Sequence, residues 1–270
     1  MKKIICCTCN DNKVYVDHLS GLIRSINKNS PDFDICVRYV NTSDYTINQH
    51  LLLHDRILII NDKNNFSPDR TIINSYGPHV SEGIKSLITS RRGEVWGVFS
   101  PEAYYCSHIK YDTIDKLLNT YNYDTVIYLD TDTIVRGDVN TLVDEVKNHD
   151  FGLYFEEIDP EEFGKPHCGL ISLNSTSNSR QVINKVINHI QKYMTADYLN
   201  NVKSIPACMD GDILMLYTTK SKIKSLSYKY KDEGLVGRNN NFDDTSVMWS
   251  GRGLNKINSN KYSNERKLYC

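Results

Sequence analysis

Tyr123-Asp124-Thr125-Val126-Ile127-Tyr128-Leu129-Asp130-Thr131-Asp132-Thr133-Ile134-Val135 is the stretch on which the reading of this chain turns. Thr125 to Leu129 is the most hydrophobic run of the middle of the sequence, and it passes directly into two aspartates. A short apolar run that ends in polar residues reads as a buried strand of a parallel sheet. Open parallel sheets carry their ligand crevice beyond the carboxyl ends of the strands, so Asp130 and Asp132 stand where a site is expected. Residues i and i+2 of an extended segment project to the same side, roughly 6.6 Å apart along the chain. Both carboxylates can then serve one divalent cation, directly or through its water shell. The competing reading is a pair of solvated turn carboxylates at a strand end, which leaves the pattern on either side unexplained.

That pattern alternates strand and helix. Lys3 to Cys9 is an apolar run closed by Asn10-Asp11-Asn12, and Leu19, Leu22, Ile23 and Ile26 follow at helical spacing before Asn27 to Pro31 ends the helix. Asp34 to Val40 and Arg56 to Ile60 read as strands, Val80 to Ile88 as a helix and Val95 to Phe99 as a strand. Ser100-Pro101-Glu102 can cap a helix whose apolar positions Ile109, Ile114, Leu117 and Leu118 carry it to about Asn119. Beyond the aspartates come strands at Phe151 to Phe155 and Gly169 to Leu173, an acidic loop around Glu156 to Glu162, and a helix from about Asn178 to Tyr193. Such alternation implies a mainly parallel sheet with right-handed crossovers. No internal repeat, Gly/Ser linker or low-complexity block marks a boundary, so the 270 residues are expected to form one domain with a basic tail from Ser250.

Composition narrows the classes further. Lys plus Arg number 32 and Asp plus Glu 33, a net charge of -1, which lacks the basic excess of a nucleic-acid binder. No apolar run approaches the roughly 20 residues that span a bilayer, and the opening Met1 to Cys9 turns polar before it makes the h-region of a signal peptide. The expectation is a cytoplasmic protein with reduced thiols. Cys6 and Cys9 form a C-x-x-C, but the remaining cysteines lie far apart, so thiols buried in strands are favoured over a zinc site.

With these residues in view, the chain resembles the glycogenin-like family 8 glycosyltransferases. The stretch from Tyr123 to Val135 is similar to that family's D-x-D motif and its flanks, and further blocks follow in order from about residue 3 to 265. The resemblance implies a GT-A fold: α/β, a Rossmann-like, mixed but mostly parallel sheet flanked by helices in a single domain. Residues 1–135 would be the nucleotide-binding half ending in D-x-D, 136–245 the half facing donor sugar and acceptor, and 246–270 a basic C-terminal lid. Asp130 and Asp132 would bind Mn2+ or Mg2+. Thr8, Asn10 and the neighbouring Asp11 resemble the nucleotide-base loop, with Tyr15 placed to stack on the base and Thr131 beside the nucleotide. Lys110 resembles the basic residue that reaches the nucleotide sugar, and His167 with Gly169 the segment facing donor and acceptor sugars. Asp210-Gly211-Asp212 is similar to an acidic motif facing the donor sugar, which makes Asp210, Asp212 and Lys110 the candidate catalytic groups. Gly251 and Lys256, with Arg252, resemble the diphosphate-binding segment.

The implied activity is metal-dependent transfer of a hexose from a nucleotide-diphosphate sugar, a UDP-sugar being expected, to a hydroxyl on a glycan or protein acceptor, with retention of configuration. A nucleotide-sugar donor is the implied partner, with no nucleic acid, no membrane span, and a homodimer left open. Departures from the family pattern are specific: Met248, Trp249 and Ser250 stand near the place of its third metal ligand, a His, Gly211 replaces a Gln and His167 an Asn. They keep in play a sugar-nucleotide-binding protein impaired in catalysis. A phosphatase of the haloacid dehalogenase type also ends a strand in Asp-x-Asp, but has a Thr where this chain has Ile134. A sugar nucleotidyltransferase wants a glycine-rich loop after the first strand, and Gly21 is the only glycine before Gly77.

Overall fold

A computed structural model describes residues 1–75, 95–155, 166–206, 209–234, 241–251 and 259–269. In chain order the strands are β1 (Lys3–Asn10), β2 (Asp34–Val40), β3 (Ile57–Asp62), β4 (Ile72–Ser75), β5 (Val95–Phe99) and β6 (Thr125–Leu129). They continue with β7 (Thr133–Val135), β8 (Phe151–Phe155), β9 (Pro166–Asn174), β10 (Ser204–Pro206), β11 (Ile223–Ser225) and β12 (Met248–Ser250). Seven of them make the main sheet in the order β11-β8-β9-β6-β1-β2-β3. Within it β3, β2, β1 and β6 run parallel, while β9 is antiparallel to both β6 and β8. The sheet is thus mixed and mostly parallel, as expected.

Packing on both faces explains why the central strands are largely apolar. Ile4, Cys6 and Tyr128 join one buried cluster with Tyr111, Ile114 and Leu117, while Ile5, Cys7, Ile127 and Leu129 join another with Leu19, Leu22 and Ile23. Successive side chains point to opposite faces, and helices cover both, so each position contributes roughly 1.5–3 kcal/mol of apolar burial. Cys6, Cys7, Cys9 and Cys36 are free, buried thiols of β1 and β2. Burial pushes the Cys9 and Cys36 thiols up to about 12, which makes them inert packing groups.

Two expectations need correction, and one lies outside the described residues. The segment after Ser100 is not one helix but two, Pro101–His108 and Lys110–Asn119. Ser100 does cap the first, accepting from the Ala103 N–H at 3.1 Å. The break at Ile109 has a local cause. In the last turn of the first helix the Ser107 hydroxyl meets the Tyr104 carbonyl at 2.8 Å and the His108 ring Nδ1 lies 2.9 Å from it, while the Ile109 N–H still donates to the Tyr105 carbonyl at 2.9 Å. Side-chain capture of a helix carbonyl favours a bend. The third strand starts at Ile57 and not at Arg56, whose guanidinium instead holds the Phe33 carbonyl at 3.2 Å. The helix expected at Val80 to Ile88 lies outside the described residues.

The small ribbon of β7 and β12 is antiparallel and pairs Thr133 with Ser250. Behind it Ile134, Phe242, Trp249, Tyr262 and Tyr269 form a separate apolar cluster, with Phe242 and Trp249 ring centroids 5.0 Å apart. The helix Asn260–Lys267 is docked through this cluster, and its Lys261 donates to the Phe242 carbonyl at 2.7 Å. The described parts of the basic tail, at Ser250 and in the helix Asn260–Lys267, are therefore packed against the body. Among the described residues, no helix is long and apolar enough to cross a membrane.

Candidate active site

Strand β6 ends at Leu129, and the next four residues make a tight turn, the Thr133 N–H donating to the Asp130 carbonyl at 3.0 Å. Neighbouring segments pin the turn from two sides. The Asp130 N–H donates to the Gly169 carbonyl at 3.0 Å, and the Asp132 carbonyl accepts from the Gly251 N–H at 3.0 Å and from the Tyr262 hydroxyl. With the backbone fixed, the two carboxylates are carried on a rigid loop. A pocket of about 210 Å3 opens over this loop, lined by Asp130, Thr131, Asp132, Thr8, Cys9, Asn10, Tyr15 and Tyr128, with Ala103, Cys106 and Ser107 from the helix Pro101–His108. The strand end, the loop after β1 and that helix thus converge where the topology predicts a ligand.

Tyr15, Asn10, Thr8 and Thr131 can now be placed. Asn12 caps the helix Lys13–Asn29, its side chain accepting from the Val14 N–H at 3.0 Å, and this sets Tyr15 in the first turn at the pocket rim, 38% exposed. Asn10 lines the pocket, but both ends of its amide are engaged. Its Nδ2 donates to Glu102 at 2.8 Å and its Oδ1 accepts from the Asn12 N–H at 3.2 Å. Glu102 also accepts from Asn41 at 2.9 Å, so it ties the loop after β1 to the end of β2. Asn10 therefore shapes the wall. Thr8 and Thr131 are buried in the lining.

Lys110, Asp210, His167 and Gly169 lie outside the pocket lining. The Lys110 Nζ is buried and donates to Asp210 Oδ2 at 2.8 Å and to the Cys168 carbonyl at 3.0 Å. It also sits 5.0 Å from the centroid of Tyr128, so one aromatic ring separates this ion pair from the pocket. Burial alone would raise the Asp210 carboxyl, but the Lys110 ammonium and His108 hold it well below the usual carboxylate range. Burial likewise disfavours the charged Lys110, and Asp210 outweighs it, leaving the lysine above its ordinary value. Asp210 and Asp212 fall in the first turn of the helix Met209–Tyr217, where acids complement the helix dipole, and Asp212 is buried.

His167 and Gly169 stand on β9, beside Asp130. The His167 Nδ1 accepts from the Gly169 N–H at 3.3 Å, and its Nε2 lies 3.1 Å from Glu233 Oε1. Gly169 lies in close approach to two side-chain ends. A Cβ there would lie 2.2 Å from Asp130 Oδ2 and 2.6 Å from the Lys231 Nζ. Lys256 and Arg252 lie outside the described residues, as does the acidic loop around Glu156 to Glu162.

Sequence reading missed Lys231, Asp232 and Glu233, all buried between the 3-10 turn Tyr228–Tyr230 and Gly234. Asp232 acts as a hub, accepting from the Gly234 N–H at 3.0 Å, the Asp243 N–H at 2.7 Å and the Ser246 hydroxyl at 2.8 Å. A run of three charges next to a glycine reads as a solvated turn, and only the flanking aromatics hint at burial. Cys106 and Ser107 were also missed, because nothing in the sequence aims one helix end at the mouth of another strand.

Among the described residues no three or more His, Cys, Asp or Glu side chains converge as a metal cage. The aspartate pair still fits a hard divalent cation. Two carboxylate oxygens on a fixed loop at a pocket are the donor set that Mg2+ and similar ions take when phosphate oxygens and waters complete the shell.

No protein-family profile matches the chain, and no curated protein matches it in sequence. Solved structures do match in fold. The galactosyltransferase LgtC, solved with donor and acceptor sugar analogues, superposes with a TM-score of 0.57 at 15% identity, over 99% of this chain and 95% of that one. The glycosyltransferase GlyE of Streptococcus pneumoniae TIGR4 gives 0.58 at 14% identity, over 100% of this chain but 60% of its own. Mouse xyloside xylosyltransferase 1 gives 0.53 at 9% identity, over 93% and 97%. The chain has the fold of these GT-A enzymes: one domain built on a mixed, mostly parallel sheet of seven strands with helices on both faces.

Proposed function

We propose that the protein is a glycosyltransferase that moves a hexose from a nucleotide-diphosphate sugar, a UDP-sugar in the first instance, to a hydroxyl of a glycan or protein acceptor, with retention. The observation that carries this reading is the placement of Asp130 and Asp132 on one pinned turn at the floor of a pocket whose rim bears Tyr15. A rim aromatic above a paired-carboxylate floor suits a ligand with a flat base at one end and a diphosphate at the other. Residues 1–135 then hold the nucleotide, 136–245 the sugar and acceptor side, and 246–270 contribute Gly251, Lys256 and Arg252 to the diphosphate.

Asp130 and Asp132 would hold Mn2+ or Mg2+, which when bound supplies neutralisation of the charge that collects on the departing diphosphate. Tyr15 stacks on the base, and Thr8 and Asn10 shape its pocket. Lys110 locks the Asp210 carboxylate at one charge and one orientation behind Tyr128, so the helix Met209–Tyr217 presents its first turn in a fixed place. Preorganised charge of this kind acts without reorganising during reaction. His167 and Gly169 lie between the aspartate turn and the acceptor side, positions suited to sugar hydroxyls.

The direct test is donor turnover with Asp130→Asn. Loss of at least about a hundredfold, on the order of 2.7 kcal/mol of barrier lowering, is expected. Undiminished transfer by that variant removes the reading, and so does turnover of an aryl phosphate with no transfer from any nucleotide sugar.

A further inference from the structure

Lys231 is a buried cation beside Asp130 that the proposed chemistry has not used. It is 2% exposed, and its ammonium donates to the Ser250 hydroxyl at 2.6 Å. Two carboxylates flank it without touching it: Glu233 Oε1 at 3.8 Å and Asp130 Oδ2 at 4.0 Å. The backbone builds this arrangement deliberately. Gly169 leaves open the volume that a Cβ would take from both Asp130 and Lys231, and Ser250 is held by its N–H to the Asp232 carbonyl at 2.7 Å and by pairing of β12 with β7. An ammonium removed from water normally closes on a carboxylate to recover its solvation. Here it is held 4.0 Å from the first aspartate of the pair, and it does not line the pocket.

We propose that Lys231 is a positioning residue that couples cation and diphosphate in the donor site, so that the aspartate pair takes up the two together in preference to a bare metal ion; this rests on the donor-site reading of Asp130 and Asp132. The sign follows from charge alone. A fixed positive charge behind Asp130 repels a divalent cation on that carboxylate and attracts a polyanion in the same pocket. Orientation of Asp130 by Lys231 would act oppositely on the metal, but at 4.0 Å no hydrogen bond enforces it, so the Coulomb effect dominates. Once a diphosphate is present, its negative charge offsets the repulsion and the ion binds.

The test is calorimetry on the whole chain with Mn2+ alone, UDP alone, and both. In Lys231→Met, affinity for Mn2+ alone should rise and affinity for UDP alone should fall, each by about fivefold to tenfold. A structural defect moves both in the same direction, so opposite signs identify the charge effect. Because Glu233 loses a neighbour in that variant, Lys231→Met/Glu233→Gln provides a charge-balanced second case, in which the same two signs are expected at smaller size. Affinities that fall together, or do not move, in a folded variant overturn the proposal while leaving the donor-site reading intact. Wild-type protein that binds UDP under none of the conditions overturns that reading instead, and this proposal with it.

Discussion

The molecule buries two lysines within one residue's reach of the same pocket wall, and it treats them oppositely. Lys110 closes on Asp210 at 2.8 Å and adds the Cys168 carbonyl at 3.0 Å, a contact ion pair sealed behind Tyr128. Lys231 is equally buried but stands 3.8 and 4.0 Å from its two carboxylates, its only short contact among those described being the Ser250 hydroxyl. Compact pairing spends a lysine's charge on one partner and makes it part of the scaffold. A charge held off its neighbours remains available to whatever enters the adjacent cavity. The difference separates a group that fixes geometry from one that sets the local potential.

The largest effect that could break this contrast is on stability. Lys110→Met strands Asp210 in the interior, and removal of one member of a buried pair costs on the order of 3–5 kcal/mol. Urea unfolding at neutral pH should show it, and a loss no greater than that of Lys231→Met would erase the distinction between the two lysines. The pH dependence sharpens it. The Asp210 carboxyl is depressed in the folded state, burial being outweighed by Lys110, so the stability it contributes is present above the unfolded carboxylate value and is lost as the pH falls through the folded one. Lys110 is raised, so its contribution is complete below the unfolded lysine value and disappears as the pH rises through the folded one. Wild-type protein should therefore show no dependence from this pair across roughly pH 5 to 9. In Lys110→Met burial acts on Asp210 without its main counterweight, and the variant should recover stability relative to wild type as the solution is acidified below neutrality. A constant difference between the two proteins from pH 7 to 5 would contradict this account.

Much of the fold was legible because the signal was local. The seven expected strand runs coincide with strands, because strands packed inside a sheet are largely apolar, as Val126 to Leu129 is. The position of the two aspartates at a strand end was legible too, but they stand on a tight turn closed by the Thr133 N–H to the Asp130 carbonyl at 3.0 Å, and not on the extended segment that their spacing suggested. What escaped depends on contacts distant in sequence. Lys110 and Asp210 were each singled out, but that they satisfy one another across 100 residues could not be read from either neighbourhood. Gly169 was assigned to sugar contact, whereas the structure also gives it a steric duty, clearance for Asp130 and Lys231. The bend at Ile109 follows a turn in which Ser107 and His108 side chains crowd the Tyr104 carbonyl, which apolar periodicity does not register.

An intermediate effect is expected at that glycine. Gly169→Ala puts a methyl into the space shared by Asp130 Oδ2 and the Lys231 Nζ, both at the ends of side chains that can move. The strand should accommodate it for about 1–3 kcal/mol, the usual cost of overpacking. Binding should suffer more specifically, because the movement displaces a carboxylate of the proposed cation site and its neighbouring charge at once. Affinity for UDP with Mn2+ is expected to drop about tenfold or more, as it does when supporting contacts of a metal site are disturbed. Full affinity in a folded Gly169→Ala protein would show that the spacing of the two charges is immaterial.

The smallest effect isolates the other end of the pocket. Tyr15 is part exposed at the rim, so stacking a base on it replaces solvent on one face of the ring and should contribute about 1 kcal/mol, the low end for base–aromatic contacts. Tyr15→Ala should weaken UDP by about fivefold while Tyr15→Phe, which keeps the ring, should not. Inorganic pyrophosphate supplies the contrast with Lys231: it has no base, so Tyr15→Ala should leave its affinity unchanged, whereas Lys231→Met should reduce it. Equal loss of UDP and pyrophosphate in Tyr15→Ala would mean that the rim acts on the shape of the pocket as a whole, and that base and phosphate ends are not recognised by separate groups.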